Sequence, residues 1–277
     1  MGKKKPRKKK KLAVDRKKRT AIPLSVARQV RQECYFGCVL CGSPVFHYDH
    51  IEEYSVVKEH KADNLALLCA SHHNDKTTKK IDAATIKEAR LNPFNKNKAL
   101  TAGHPIFESR NIDVTLGNIK ILANLTEDRE FYVMCVNGIA YISITLENGW
   151  LSLSMAVTND DGKILLAVDR GNIQVALNIF DYTYVGDRLI ISEIDGAPIV
   201  DLNFSNTMLK LNKGQFIHDG SGFVIDNEIL HYVAFGNVVA QVEGSTFGST
   251  IGAISICEKA KYPEGVPPSG FAHSVTV

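Results

Sequence analysis

Three cysteines and a histidine between residues 38 and 72 have the spacing of a metal-binding site. They form two close pairs, Cys38-x-x-Cys41 and Cys69-x-x-His72. Two short knuckles of this kind supply four ligands in a tetrahedron, which is typical of a closed structural zinc site. We therefore predict that Cys38, Cys41, Cys69 and His72 bind structural Zn²⁺.

A second set of polar residues, Asp49, His50, Asn64 and His73, is interleaved with these ligands. Metal-assisted hydrolysis of a phosphodiester needs oxygen and nitrogen ligands that leave metal positions open, an imidazole that activates water, and an amide that orients the imidazole. The alternative is a zinc-finger-like binding module with ordinary polar residues around it. Four suitable residues in this order favour the catalytic interpretation. Because adjacent side chains diverge by about 100° on a helix, His72 and His73 can serve different metals.

Between roughly Arg19 and Lys80 the chain resembles the HNH endonucleases, whose fold is a ββα-metal finger. The resemblance covers under a quarter of the chain and departs from many relatives at His72, where they have a cysteine. Histidine is also a good zinc ligand, so the departure changes only the ligand set. The motifs that carry the resemblance are Cys38-x-x-Cys41, Asp49-His50-Ile51, Asn64-Leu65 and Leu68-Cys69-x-x-His72-His73.

The resemblance implies a role for each residue of the second set. His50 would be the general base and Asn64 would orient it. Asp49 and His73 would hold one divalent cation, Mg²⁺ or else Mn²⁺ or Ni²⁺. The implied activity is hydrolysis of DNA, in an enzyme resembling bacterial or phage restriction and defence effectors. A non-catalytic, zinc-dependent nucleic-acid-binding module is the alternative.

The positive charge is concentrated at the N-terminus. Residues 1–19 carry a net charge of +11, whereas the remainder carries −8 and the part from Thr101 onward −10. We predict a disordered tail that binds phosphates without sequence preference, against the alternatives of a solubilising tail or a nuclear-import signal. The predicted DNA contacts are Lys8, Lys9 and Lys10 of the tail, Arg28 and Arg31 on the outer face of a first helix, and Lys76, Lys79 and Lys80.

The elements around the two sets follow from apolar periodicity and turn residues. We expect an HNH domain over 20–95 and a linker over 96–105. Within the HNH domain, a polar loop without a strong element is expected at 52–63. The other expected elements are helices at 20–36, from Cys69 to about Lys80 and at 82–90, and strands at 45–48 and 66–68.

Beyond the linker, residues 106–258 consist of short segments rich in Ile, Val and Leu, separated by Asn, Asp and Gly turns. The fold class predicted for the chain is thus an α+β N-terminal domain followed by an all-β domain, either a sandwich or a β-helical stack. Because this domain is acidic, we do not expect it to bind DNA. The two roles that remain are a homo-oligomerisation platform and a sensor of a regulatory ligand or partner protein. Residues 259–277 are expected to be loosely packed.

Composition limits the class of protein. The 277 residues are 44% hydrophobic and 23% charged, which suits a soluble chain of two domains. With no apolar run of bilayer length and no apolar segment after the basic N-terminus, a cytoplasmic protein is expected. Cys34, Cys135 and Cys257 are then buried thiols, although Cys34 is an alternative to Cys38 as a zinc ligand.

Overall fold

The structure of the protein is a computed structural model. It describes residues 20–106, 109–123, 125, 127–205, 207–249, 251–258 and 271–277. The predicted basic tail, including Lys8, Lys9 and Lys10, lies outside the described residues. Among the described helices, none is long and apolar enough to cross a membrane.

The N-terminal region is built from short helices around a two-stranded sheet. Its elements are α1 (Leu24–Glu33), β1 (His47–His50), α2 (Tyr54–Val57), a 3-10 turn (Ala62–Asn64), β2 (Leu65–Leu68), α3 (Ala70–Thr77) and α4 (Ala83–Leu91). The segment that was expected to be a polar loop without a strong element contains only the four-residue α2 and most of the three-residue 3-10 turn.

Helix α1 ends earlier than its periodicity predicts. Tyr35 and Phe36 have φ angles of 53° and 50°. This left-handed conformation cannot continue an α-helix, so the helix ends at Glu33 and not at Phe36. The early end turns the chain toward the first pair of cysteines.

Strands β1 and β2 pair antiparallel, with His47 opposite Leu68 and His50 opposite Leu65. All four residues of β2 are fully buried, because α1, α3 and α4 all contact this strand. Helix α4 is capped by Asp82, whose carboxylate accepts a 2.8 Å hydrogen bond from the backbone N–H of Thr85. The buried β2 therefore fixes the position of β1, which carries the predicted catalytic residues.

The C-terminal region is all-β, as predicted. Its strands are β3 (His104–Pro105), β4 (Asp113–Leu116), β5 (Ile119–Ala123), β6 (Arg129–Val136), β7 (Ile139–Glu147), β8 (Trp150–Thr158), β9 (Ile164–Asp169), β10 (Asn172–Val175), β11 (Asp181–Val185), β12 (Arg188–Ile194), β13 (Ala197–Ser205), β14 (Met208–His218), β15 (Ser221–Asp226), β16 (Ile229–Ala234), β17 (Asn237–Val242), β18 (Thr246–Ser249), β19 (Gly252–Cys257) and β20 (Phe271–Thr276).

These strands form two sheets that share the long strand β14. One sheet has the order β11-β12-β13-β14-β4-β5-β18, and the other β20-β19-β6-β7-β8-β9-β10-β3. The second half of β14 bonds to β8 and begins a meander through β15, β16 and β17. Consecutive strands are mostly antiparallel hairpins. Their inward side chains form one apolar core with Phe131, Phe204, Phe216 and Phe223 fully or almost fully buried.

Two segments predicted to be irregular contain strands. Strand β3, in the predicted linker, pairs antiparallel with β10. Strand β20, in the predicted loose C-terminal segment, runs parallel to β19 with Ile254 opposite His273. Both short strands add to sheet edges whose backbone groups need partners, a requirement that their own composition does not reveal.

An ion-pair cluster joins α1 to the β region. Arg31, 7% exposed, donates to both carboxylate oxygens of Asp181 at 2.7 Å, and it also bonds to the hydroxyl of Tyr48. Arg28 bonds to Asp181 at 3.2 Å and to Asp195 at 2.9 Å. The prediction of an outside position is therefore wrong for the buried Arg31, whereas the side chain of Arg28 remains 38% exposed.

An apolar contact supports this junction. Tyr182 is fully buried, donates a 3.2 Å hydrogen bond to the carbonyl of Pro44, and packs edge-on against Phe46 at a ring distance of 6.2 Å. The junction therefore reaches the segment that leads into β1. Strand β11 thus supports both α1 and the start of the site-bearing hairpin.

Candidate active site

The four predicted zinc ligands converge in one cluster. Their ligand atoms all lie within 4.8 Å of one another. The Nδ1 atom of His72 is 3.3 Å from the sulfurs of Cys38 and Cys69, and the sulfurs of Cys41 and Cys69 are 3.8 Å apart. Tetrahedral zinc, with bonds of about 2.3 Å to sulfur and about 2.0 Å to nitrogen, requires separations of about 3.5–3.8 Å. The donor set and its spacing therefore fit a zinc knuckle.

The surroundings of the cluster favour a thiolate at Cys38 and a thiol at Cys34. A hydrogen bond with Cys41, assisted by backbone N–H groups of Cys69 and Leu40, lowers the pKa of Cys38 against the effect of burial. Burial raises the pKa of Cys34 to about 11, and this residue is not part of the ligand cluster. Cys38 lies in the ligand cluster and Cys34 does not, so Cys38 and not Cys34 is the suitable ligand.

Backbone hydrogen bonds hold the first knuckle in place. The N–H of Gly42 bonds to the carbonyl of Cys38 at 2.7 Å, and the N–H of Val39 bonds to Leu67 of β2 at 2.9 Å. Gly42 has φ = 76°, and a Cβ on it would lie 2.2 Å from Oδ1 of Asn95. Only glycine fits this turn, which brings Cys41 close to the second knuckle at the start of α3.

Asp49 and His73 face each other across the groove between β1 and α3. Oδ1 of Asp49 lies 3.5 Å from Nε2 of His73. One cation with bonds of about 2.0–2.2 Å can reach both atoms, so the pair fits a single divalent metal with open positions. The exposed imidazole of His47 lies beside this pair, with its ring 5.9 Å from that of His73.

Asn64 closes the turn that follows His50. Its side-chain oxygen accepts from the N–H of Glu52 at 2.8 Å, and its amide donates to the carbonyl of Glu52 at 3.0 Å. The N–H of Ile51 bonds to the carbonyl of Asn64 at 2.9 Å. The asparagine therefore acts on the backbone next to His50 and not on its imidazole ring.

Lys76 lies beside Asp49. Its side chain is only 16% exposed, and its ammonium group binds both Oδ2 of Asp49 and the carbonyl of His50. Of the predicted solvent- or substrate-facing positions, the structure therefore excludes open solvent for Lys76. Lys79 and Lys80 are exposed, as expected. The two oxygens of Asp49 thus have separate neighbours, Lys76 on one side and His73 on the other.

This arrangement predicts a specific effect of Lys76→Met. In the zinc-loaded protein without added Mn²⁺ we expect a loss of about 2–3 kcal/mol in the free energy of unfolding, because the nearly buried Asp49 carboxylate loses its charged partner. Added Mn²⁺ should then raise the melting temperature more in the variant than in the wild type, since the metal no longer competes with an ammonium group. Thermal melts with and without Mn²⁺ measure both effects.

Lys79→Met, which removes an exposed lysine of the same segment, is the matched control and should leave both melting temperatures unchanged. An equal metal-induced shift in the Lys76 variant and the wild type would show that the ammonium does not influence the metal site.

The structure also adds a residue that sequence reasoning missed. His60 has no partner at metal-ligand spacing in the sequence. Its Nδ1 atom instead lies 3.1 Å from Nε2 of His50, and its ring stacks on Tyr54. The chain between these histidines is an irregular loop with a short helix, so their ten-residue separation gives no signal of contact.

Comparison with protein-family models matches residues 38–79 to the HNH endonucleases. No curated protein and no solved structure matches the chain. The family consists in general of nucleases, and its domain implies action on nucleic acid. The matched segment begins at the first zinc ligand and ends just beyond α3, and it includes the whole ligand cluster. Residues 38–79 therefore match an HNH domain, and the cluster of Cys38, Cys41, Cys69 and His72 fits its zinc knuckle.

Proposed function

We propose that this protein is a metal-dependent endonuclease that hydrolyses phosphodiester bonds of DNA. The observation that carries the proposal is the pair of Asp49 and His73, 3.5 Å apart, beside His50 in a domain held by a zinc knuckle. Asp49 and His73 supply two metal ligands, and His50 follows Asp49 directly at the end of β1. The family match supports action on nucleic acid.

In the proposed reaction, His50 removes a proton from a water molecule as the water oxygen bonds to phosphorus. The bond between phosphorus and the leaving sugar oxygen breaks, and that oxygen then takes up a proton. When bound at Asp49 and His73, a divalent cation supplies electrostatic stabilisation of the charge that develops on the phosphate and the leaving oxygen. Asn64 holds the turn after His50, so the imidazole stays in one place.

The contacts to DNA in this proposal come from exposed lysines. Lys79 and Lys80 are exposed just beyond the end of α3, and the basic segment 1–19 adds a net charge of +11. Arg28 and Arg31 are already bound to carboxylates of the β region. Salt dependence of binding should therefore come mainly from the lysines and the tail.

One observation favours a second candidate, a non-catalytic nucleic-acid-binding module. The ammonium of Lys76 binds Asp49, so a cation is already present at the carboxylate that would hold the metal. A protein that never binds a catalytic metal would have the same ion pair. The two candidates differ in whether divalent metal converts DNA binding into DNA cleavage.

The test is a plasmid-nicking assay on the zinc-loaded full chain. Protein dialysed free of other metals should bind supercoiled plasmid without cutting it, and addition of Mg²⁺ or Mn²⁺ should produce nicked or linear DNA. Dialysis is preferable to a chelator, which would also remove the structural zinc. Binding without cleavage at every metal concentration would establish the binding module instead.

A further inference from the structure

A chain of two imidazoles ends on a backbone carbonyl beside the proposed active site. Nε2 of His50 lies 3.1 Å from Nδ1 of His60, and Nε2 of His60 lies 2.9 Å from the carbonyl oxygen of Thr20. We propose that His60 is a positioning residue that fixes the tautomer and the orientation of His50. This inference rests on the proposed function, in which His50 is the general base.

The direction of the hydrogen bonds follows from the carbonyl at the end of the chain. A carbonyl oxygen only accepts, so Nε2 of His60 carries a hydrogen. In a neutral His60 ring this leaves Nδ1 as an acceptor. The hydrogen between the two rings then belongs to Nε2 of His50, and Nδ1 of His50 is the nitrogen that can take a proton from water.

Packing holds both rings in this geometry. Tyr54 stacks on His60 with ring centroids 4.8 Å apart and an angle of 20° between the planes. The same tyrosine meets His50 edge-on at 5.2 Å, and its hydroxyl lies 3.3 Å from the hydroxyl of Thr20. His50 itself is 5% exposed, so its ring has little room to turn. Tyr54 therefore restrains both members of the imidazole pair.

Other catalytic histidines are arranged in the same way: a hydrogen-bond partner on one ring nitrogen determines which nitrogen acts as the base. Here the partner is a second histidine, and its own tautomer is determined by a peptide carbonyl. A side chain without an acceptor at position 60 would remove the contact that favours hydrogen on Nε2 of His50. Part of the protein would then present an N–H to the attacking water and would be inactive.

The matched pair of variants is His60→Leu and His60→Asn. The two side chains have nearly the same shape, but only asparagine keeps an acceptor near the position of Nδ1. We expect kcat for plasmid nicking to fall about 10- to 100-fold in His60→Leu, with KM and zinc content unchanged, and to recover by most of that factor in His60→Asn. In a His50→Ala background, His60→Leu should cause no further loss.

The tautomer itself is measured by NMR on the full chain containing ¹⁵N-labelled histidine, at about pH 8, where an ordinary imidazole is neutral. We expect hydrogen on Nε2 of His50 in the wild type and a mixture of tautomers in His60→Leu. Hydrogen on Nδ1 of the wild-type His50, or equal losses of kcat in the two His60 variants, would overturn the inference.

These readouts separate the inference from the proposed function. A wild-type chain that never cuts DNA, or a His50→Ala variant that cuts as well as the wild type, would reject the nuclease mechanism. The NMR experiment would still decide whether His60 sets the tautomer of His50, because it requires no activity.

Discussion

Replacing His50 with alanine should reduce the rate of DNA cleavage about 10²- to 10⁴-fold while leaving DNA affinity unchanged. General-base catalysis by a positioned imidazole contributes rate enhancement of this size. His50 is 5% exposed, and its replacement removes neither of the exposed lysines available to phosphates, Lys79 and Lys80. The loss should therefore appear in kcat and not in the dissociation constant.

Two further variants make the experiment decisive. His50→Gln retains a polar side chain of similar length but has no basic nitrogen, so it should be as inactive as His50→Ala. His218→Ala removes a partly exposed imidazole of the β region and should retain full activity. Zinc content and melting temperature show whether each variant is folded. If folded His50→Gln cuts at the wild-type rate, His50 is not the general base.

Replacing Cys69 with alanine should abolish zinc binding and unfold the N-terminal region. Zinc binding contributes about 10–16 kcal/mol in zinc-finger peptides at neutral pH, as much as or more than the stability of an ordinary domain, which is about 5–15 kcal/mol. The core of this region is small, and two of its buried members, Cys38 and Cys69, are themselves zinc ligands. Few apolar contacts remain to hold the helices once the metal is lost.

Cys34→Ala is the matched control for this prediction. Cys34 is also a buried cysteine of the same core, but it is not in the ligand cluster, and its raised pKa keeps it a thiol. We expect one zinc per chain in the wild type and in Cys34→Ala, and none in Cys69→Ala. Metal analysis and circular dichroism measure the two effects. Retention of one zinc by Cys69→Ala would show that the assigned ligand set is wrong.

The junction between the two regions affects how such experiments should be designed. Arg31 is buried against Asp181, and Tyr182 hydrogen-bonds to the segment that leads into β1. A fragment that ends near residue 100 would leave the Arg31 guanidinium without the Asp181 carboxylate and Phe46 without Tyr182. Activity lost in such a fragment would therefore not distinguish regulation by the β region from loss of support for α1. Point variants in the full chain avoid this problem.

The two residue sets of the site could be read from the sequence because they are local. Both sets lie within 36 residues, in two knuckles, one hairpin and the start of one helix. At this range, backbone geometry limits where each side chain can lie, and residue types alone restrict the chemistry. The four predicted zinc ligands do converge in one cluster. The all-β class of the C-terminal region followed from the change in apolar pattern near residue 100, whereas the ββα class was implied by the resemblance to the HNH endonucleases.

Contacts between distant or irregular segments were decided only by the tertiary structure. Arg31 and Asp181 are 150 residues apart, so nothing in the pattern of α1 shows that its outer face is covered. His60 reaches His50 only because an irregular loop folds back, and Lys76 turns inward because Asp49 and the His50 carbonyl need a donor. From the sequence alone, a charged side chain on a helix is equally compatible with exposure to solvent and with an ion pair. The partner that the fold brings to it decides between them.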